Sequence, residues 1–390
     1  MLTLIRNGEV FGPEPLGKRD ILVAGASIEA LAGPAEIHLG GLETDIVDAA
    51  GLSVLPGVVD PHVHILGGGG EGGPATRAPE IRVEDIVSSG VTTLIGCLGT
   101  DGVTRHMTSL LAKARALEIE GVTTYVYSGS YEIPVNTLTG SVRSDLILID
   151  KVIGAGEIAV SDHRSSQPTF DEVARLAAEC RVGGMLGGKA GVLHLHLGDG
   201  KRRLGLLFRI VRETEIPVTQ LIPTHMTRNR ELFEEGLEWV KVGGFIDVTV
   251  GPDPDPARDP DVSLEECVAR FEKDGLPLSR IMASSDGNGS MPVFDKSGKL
   301  VRLTIASERD LLRKFRDLVA KKSLTLEEAV RLFSTNAAEF YKLGKKGRIA
   351  AGADADLILL DRNLALKGVF AKGKKLMAEG RLLVKGTFSE

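Results

Sequence analysis

Between residues 57 and 285 the chain alternates short apolar runs with longer stretches of helical periodicity. The apolar runs fall at 57–64, 91–97, 122–128, 158–161, 192–197, 220–224, 245–250 and 281–285. They are rich in valine, isoleucine and leucine with few charges, the pattern of strands buried on both faces. Stretches at 83–89, 105–117, 169–180, 201–214, 230–242 and 264–273 carry helical spacing between them. This alternation predicts an α/β fold, a (β/α)₈ TIM-like barrel. A doubly wound sheet is the competing topology, and the run of similar strand–helix units favours closure.

The two ends of the chain look different. Runs at 2–5, 21–24 and 35–39, and again at 355–360, 366–371 and 380–385, are short, strand-like and separated by glycine-rich turns. They predict a small β-sandwich domain built from residues 1–55 and 345–390, beside a barrel of residues 56–344. A proline–aspartate stretch at 251–256 reads as a stiff surface connection. The 390 residues are 43% hydrophobic, enough for a large core. A net charge of −6 without a basic stripe argues against nucleic acid. No apolar run approaches a membrane span. The 3 cysteines lie far apart, which argues for a reducing compartment rather than a disulfide framework, and the first residues turn polar too soon for a signal peptide. A cytoplasmic protein is expected.

The candidate chemistry lies at the C-terminal ends of the expected strands, where barrel active sites assemble. Asp60-Pro61-His62-Val63-His64 closes the first barrel strand, and residues two apart on a strand share a face. His62 and His64 can therefore meet one metal ion. The fifth strand ends near His196, the sixth in His225 and the eighth in Asp286. Isolated core histidines would each need a polar partner, so convergence on metal is the stronger reading. Of the 8 histidines, His38, His106, His163 and His194 are assigned no ligand role. Two metals bridged by one more acidic group, roughly 3.5–4 Å apart, would acidify a shared water. Asp286 is placed to take its proton and pass it to a leaving nitrogen.

These histidines and Asp286, with Gly57–His64 and the closing Gly347–Leu357, resemble the amidohydrolase superfamily, and within it the isoaspartyl dipeptidase family. Segments 67–74, 161–165, 223–229 and 284–290 carry the closer resemblance. It implies a metal-dependent hydrolase of β-aspartyl dipeptides, with His62, His64 and Asp286 on one zinc and His196 and His225 on the other. Glu71 would bind the substrate's free amine, and Tyr131 would polarise the scissile carbonyl. Arg164 would meet the leaving residue's carboxylate, and Arg228 and Ser290 the aspartyl α-carboxylate. Gly69 and Thr100 would offer further groups. The resemblance also suggests a homo-oligomer, an octamer. A β-aspartyl dipeptide independently needs one anion for its amine and cations for its two carboxylates, which Glu71, Arg164 and Arg228 supply.

One position departs from the family. Where its members carry a carbamylated lysine bridging two metals, this chain aligns Glu157. The expectation is that the Glu157 carboxylate bridges directly, with Gly154-Ala155-Gly156 letting the backbone approach. The alternatives are another amidohydrolase reaction, on a cyclic amide or an N-acyl amino acid, and a scaffold without catalysis. The first has no use for Glu71; the second usually loses ligands that are present here. Gly183–Lys189 as a phosphate loop is disfavoured, because it precedes a strand.

Overall fold

The computed structural model describes residues 2–251, 262–295 and 297–389. Most of the 251–256 connection lies outside them. The chain opens with β1 (Leu2–Phe11), β2 (Pro15–Ala24), β3 (Ser27–Ala32), β4 (Thr44–Asp48) and β5 (Ser53–Pro56). Residues 35–39, expected as a strand, are irregular and mostly exposed; β3 and β4 flank them instead. The barrel strands follow as β6 (Val58–Val63), β7 (Val91–Gly96), β8 (Thr123–Ser128), β9 (Val152–Val160), β10 (Val192–Leu197), β11 (Leu221–Thr224), β12 (Ile246–Thr249) and β13 (Ile281–Ser284). A hairpin, β14 (Ser290–Phe294) with β15 (Leu300–Ile305), was not expected. The chain closes with β16 (Leu357–Leu360), β17 (Leu366–Ala371), β18 (Lys374–Ala378) and β19 (Arg381–Leu382).

Helices α1 (Val83–Ser88), α2 (Met107–Glu120), α3 (Val142–Leu148), α4 (Phe170–Gly187), α5 (Gly205–Glu213), α6 (Arg230–Lys241), α7 (Leu264–Lys273) and α8 (Arg309–Ala320) surround the barrel. Local chemistry sets their limits. Thr169 and Glu172 form a reciprocal capping box at the start of α4, and Gly188 ends it in the left-handed conformation. The Gly183–Lys189 stretch is mostly the end of this helix. No helix among the described residues is long and apolar enough to cross a membrane.

β6 to β11 form one parallel sheet in sequence order, and β12 pairs with β13. Side chains stitch the two remaining seams. At one, Thr224 and Ser284 both donate to the buried Asp247 carboxylate, at 2.5 and 2.7 Å. At the other, Asp60 accepts from the Ser285 hydroxyl and backbone N–H at 2.5 and 3.1 Å, beside a parallel bridge between Val63 and Gly287. The result is a curled parallel barrel. The terminal segments meet where β5 pairs antiparallel with β16. They form one continuous nine-stranded sheet with a core of its own, including Ile5, Ile21, Val54, Leu357 and Phe370.

Strand β9 carries the feature that matters most for the site. Its register against β10 pairs Leu193 with Ala155 and then Leu195 with Ile158. One residue more on β9 than on β10 is a bulge, which re-aims a side chain. Gly156, with φ of 152°, lies in it, so close to the His194 backbone that a side chain would not fit. The bulge turns Glu157 into the barrel mouth.

Candidate metal centre

Four histidines converge on the buried Glu157 carboxylate. His62 Nε2 lies 3.3 Å from it, His64 Nε2 3.2 Å, His196 Nδ1 3.2 Å and His225 Nε2 3.8 Å. Asp286 Oδ1 approaches the first two at 3.5 and 3.0 Å. Each imidazole turns one nitrogen to Glu157 and is held at the other. Thr224 and His194 meet His62 Nδ1, both at 3.4 Å; Cys97 Sγ meets His64 Nδ1 at 3.8 Å. Asp162 holds His196 Nε2 at 2.9 Å, and Thr249 holds His225 Nδ1 at 2.6 Å. Such outer partners orient metal ligands.

These side chains fit divalent cations. Donor atoms of His62, His64, Cys97 and Glu157 lie within 4.8 Å of one another, as do those of Glu157, His196 and His225. His62 Nε2 and Asp286 Oδ1 are buried with no hydrogen-bond partner, which is costly unless a cation compensates. Burial opposes ionisation of Glu157, yet His62, His196 and His225 hold its pKa well below the carboxylate range. Asp286 is likewise opposed by burial but drawn down to about 2 by His62 and His64. Burial and the Arg228 charge push His225 down to about 3.

The remaining expected residues ring this centre. The Tyr131 hydroxyl lies 2.8 Å from His196 Nδ1. Burial and then Glu157 raise its pKa well above the phenol range, so it stays protonated. Glu71 accepts from Ser290 at 2.7 Å, Thr100 at 3.2 Å and Arg164 at 3.4 Å, and its second oxygen is buried and unpaired. Arg164 also pairs with Asp162 at 2.8 Å and lies over the Tyr131 ring. Arg228 is half-buried in the turn after His225 and makes no ion pair among the described residues. Gly69 lies in the turn before Glu71, its carbonyl taken by Arg105.

His38, His106 and His163 are exposed and belong to none of the candidate ligand groups among the described residues. His194 is buried directly beneath His62, stacked on Tyr127 at 4.7 Å. Sequence reasoning missed Cys97, Asp162, Thr249 and Arg105. Asp162 and Thr249 sit at or just after strand ends, the one signal that could have flagged them.

Residues 53–377 match the amidohydrolase family. The chain belongs to that family. It is a metal-dependent hydrolase. This amidohydrolase is 46% identical to the crystallised β-aspartyl dipeptidase of Fervidobacterium islandicum AW-1 in complex with β-Asp-Leu dipeptide, with a TM-score of 0.92 over 99% of this chain and 100% of that one. The dihydropyrimidinase of Brevibacillus agri, 16% identical, shares the fold with a TM-score of 0.68 over 98% of this chain and 96% of that one. Among curated relatives, the adenine deaminase of Halalkalibacterium halodurans is 25% identical over 98% of this chain, and the amidohydrolase spans 58% of its length.

Proposed function

We propose that the chain hydrolyses β-aspartyl dipeptides, splitting the amide formed by the aspartyl side-chain carboxyl. The observation that carries this is the set of one buried anion, Glu71, and two cations, Arg164 and Arg228, placed around a histidine–carboxylate centre. A β-aspartyl dipeptide presents one amine and two carboxylates, the complementary set. The 46% identity to the Fervidobacterium enzyme supports the same substrate class. A cyclic amide would leave the unpaired Glu71 oxygen without a partner.

His62, His64 and Asp286 would hold one divalent ion and His196 and His225 a second, with Glu157 shared between them. Zinc suits a donor set of imidazole, carboxylate and nearby sulfur. When bound, the ions would supply an acidified water and Lewis acidity at the carbonyl. Glu71 binds the α-amine through its free oxygen, with Ser290 and Thr100 fixing its rotamer. Arg228 takes the aspartyl α-carboxylate and Arg164 the carboxylate of the leaving residue. The protonated Tyr131 hydroxyl donates to the carbonyl oxygen as charge develops there. Asp286, ionised at neutral pH, accepts the attacking water's proton and returns it to the departing amine.

Hydrolysis of β-Asp-Leu set against α-Asp-Leu, by protein of known metal content, tests the proposal. Cleavage of the β linkage alone, lost with a chelator and restored by zinc, is the expected result. Cleavage of neither dipeptide with metal bound would move the substrate to cyclic amides or acylated amino acids.

A further inference from the structure

Arg105 lies at the start of the segment leading into α2 and is 5% exposed. Its guanidinium faces backbone carbonyls of the turn that follows His64. Nε donates to Leu66 at 3.2 Å, and Nη1 to Gly69 at 3.2 Å. Nη2 donates to Gly68 at 2.7 Å and to Ala78 at 3.3 Å. The carboxylate it meets is Asp101, at 3.2 Å from Nη1. Carbonyl dipoles aimed at one point repel each other, and a planar, always-charged group with five donors is what resolves that convergence.

The turn it holds leads directly into Glu71. Its backbone has no slack. Gly67, Gly69 and Gly70 have φ of 77, 80 and 114°, and a side chain at Gly67 or Gly69 would strike the carbonyls of Ala78 or Thr76. Gly67 and Gly68 donate to the carbonyls of His64 and Asn288 at 2.7 and 2.8 Å, tying the same turn to two ligand-bearing segments. Glu71 itself reaches the site with one oxygen on Ser290 and the other unpaired.

We propose that Arg105 determines selectivity for substrates with a free α-amine, by holding the glycine turn in the form that presents Glu71. It touches no substrate and is a positioning residue. The inference rests on the β-aspartyl dipeptide reading. A misplacement of about 1 Å at such a group costs on the order of a hundredfold in rate. Lysine keeps the charge but cannot reach these carbonyls with a planar fork.

Two readouts test it in R105K. The first is the ratio of kcat/KM for β-Asp-Leu to that for succinyl-leucine, the same molecule without its amine. The ratio should fall roughly tenfold to a hundredfold, mostly through KM for β-Asp-Leu, with metal content unchanged. In the R105K/E71A double variant the ratio should fall no further than in E71A alone. The second is hydrogen exchange of the Gly67 and Gly68 amides, which should quicken in R105K. An equal loss on both substrates, or additive losses in the double variant, overturns the proposal. So does unchanged exchange. Should R105K not fold, Asp101→Asn loosens Arg105, together with Arg77, which shares that carboxylate, and should lower the same ratio in part; an unaltered ratio there also overturns it. Wild-type protein that cleaves no β-Asp-Leu defeats the functional reading and the selectivity claim, while the exchange result still decides whether Arg105 holds the turn.

Discussion

Glu157 is the residue on which the centre turns, since four imidazoles face its carboxylate. A bridging glutamate needs no carbon dioxide, so bicarbonate should leave the activity of zinc-reconstituted protein unchanged. Metal analysis should find two ions per chain in the wild type and one in Glu157→Ala; equal stoichiometry in the two would sink the bridging role. Tyr131 offers a separate test. Its hydroxyl serves the carbonyl only as charge develops, so Tyr131→Phe should lower kcat about a hundredfold with little change in KM. A rise in KM with kcat intact would assign it to binding instead. Residue types alone pointed to the four histidines and Asp286, because such side chains at strand ends are costly to bury without a task; Glu157, Tyr131 and the substrate-facing residues came from the family resemblance. Cys97 and Thr249 escaped notice because their types pack or cap anywhere.

At the scale of elements, strands whose apolar runs were long enough to bury both faces matched their expected spans closely, β10 among them. β9 was expected only from its last residues. Gly154, Ala155 and Gly156 carry little strand signal, and what makes them a strand is pairing with β8 and β10 on either side. The bulge there yields a prediction. Deleting Gly156 would restore even register, and a one-residue slip sends side chains to the opposite face. The deletion variant should keep its far-ultraviolet circular dichroism and fall from two metal ions to one, as in Glu157→Ala; two ions retained would show that the bulge does not aim Glu157. The short α3 and the β14–β15 hairpin were also missed. α3 packs on α4, and the hairpin, whose strands pair only with each other among the described residues, touches His163 through Phe294 at 4.8 Å between ring centres.

For the whole molecule, the small sheet and the barrel are joined by a buried charge network. Lys346 Nζ reaches Asp356 at 2.5 Å, Asp354 at 2.9 Å and Thr123 of β8 at 2.7 Å. Removing the cation would strand two carboxylates, so Lys346→Met should cost about 3–5 kcal/mol in denaturant unfolding; a loss below about 1 kcal/mol would mean the network is solvated. A second test uses pH. Burial raises Glu308 to about 8, with Asp60 and Asp85 adding to the shift and Arg309 opposing it. The folded state therefore holds a proton that the unfolded chain gives up near 4.5, so stability falls as pH rises from there to about 8. Glu308→Gln should raise Tm at pH 9 and change it little at pH 4; equal shifts at both would refute the linkage.

The sequence by itself determined the repeated strand–helix units, the β-rich character of the two chain ends, and the ligand types waiting at strand ends. Each follows from local periodicity or from side-chain chemistry, which neighbours along the chain are enough to specify. Only the tertiary structure decided how the barrel seams close, through Asp60 and Asp247 rather than through continuous ladders. It alone showed which nitrogen of each histidine faces inward, and which buried guanidinium holds the turn before Glu71. Those depend on distances between residues far apart in the chain, and such distances exist only once the barrel has closed.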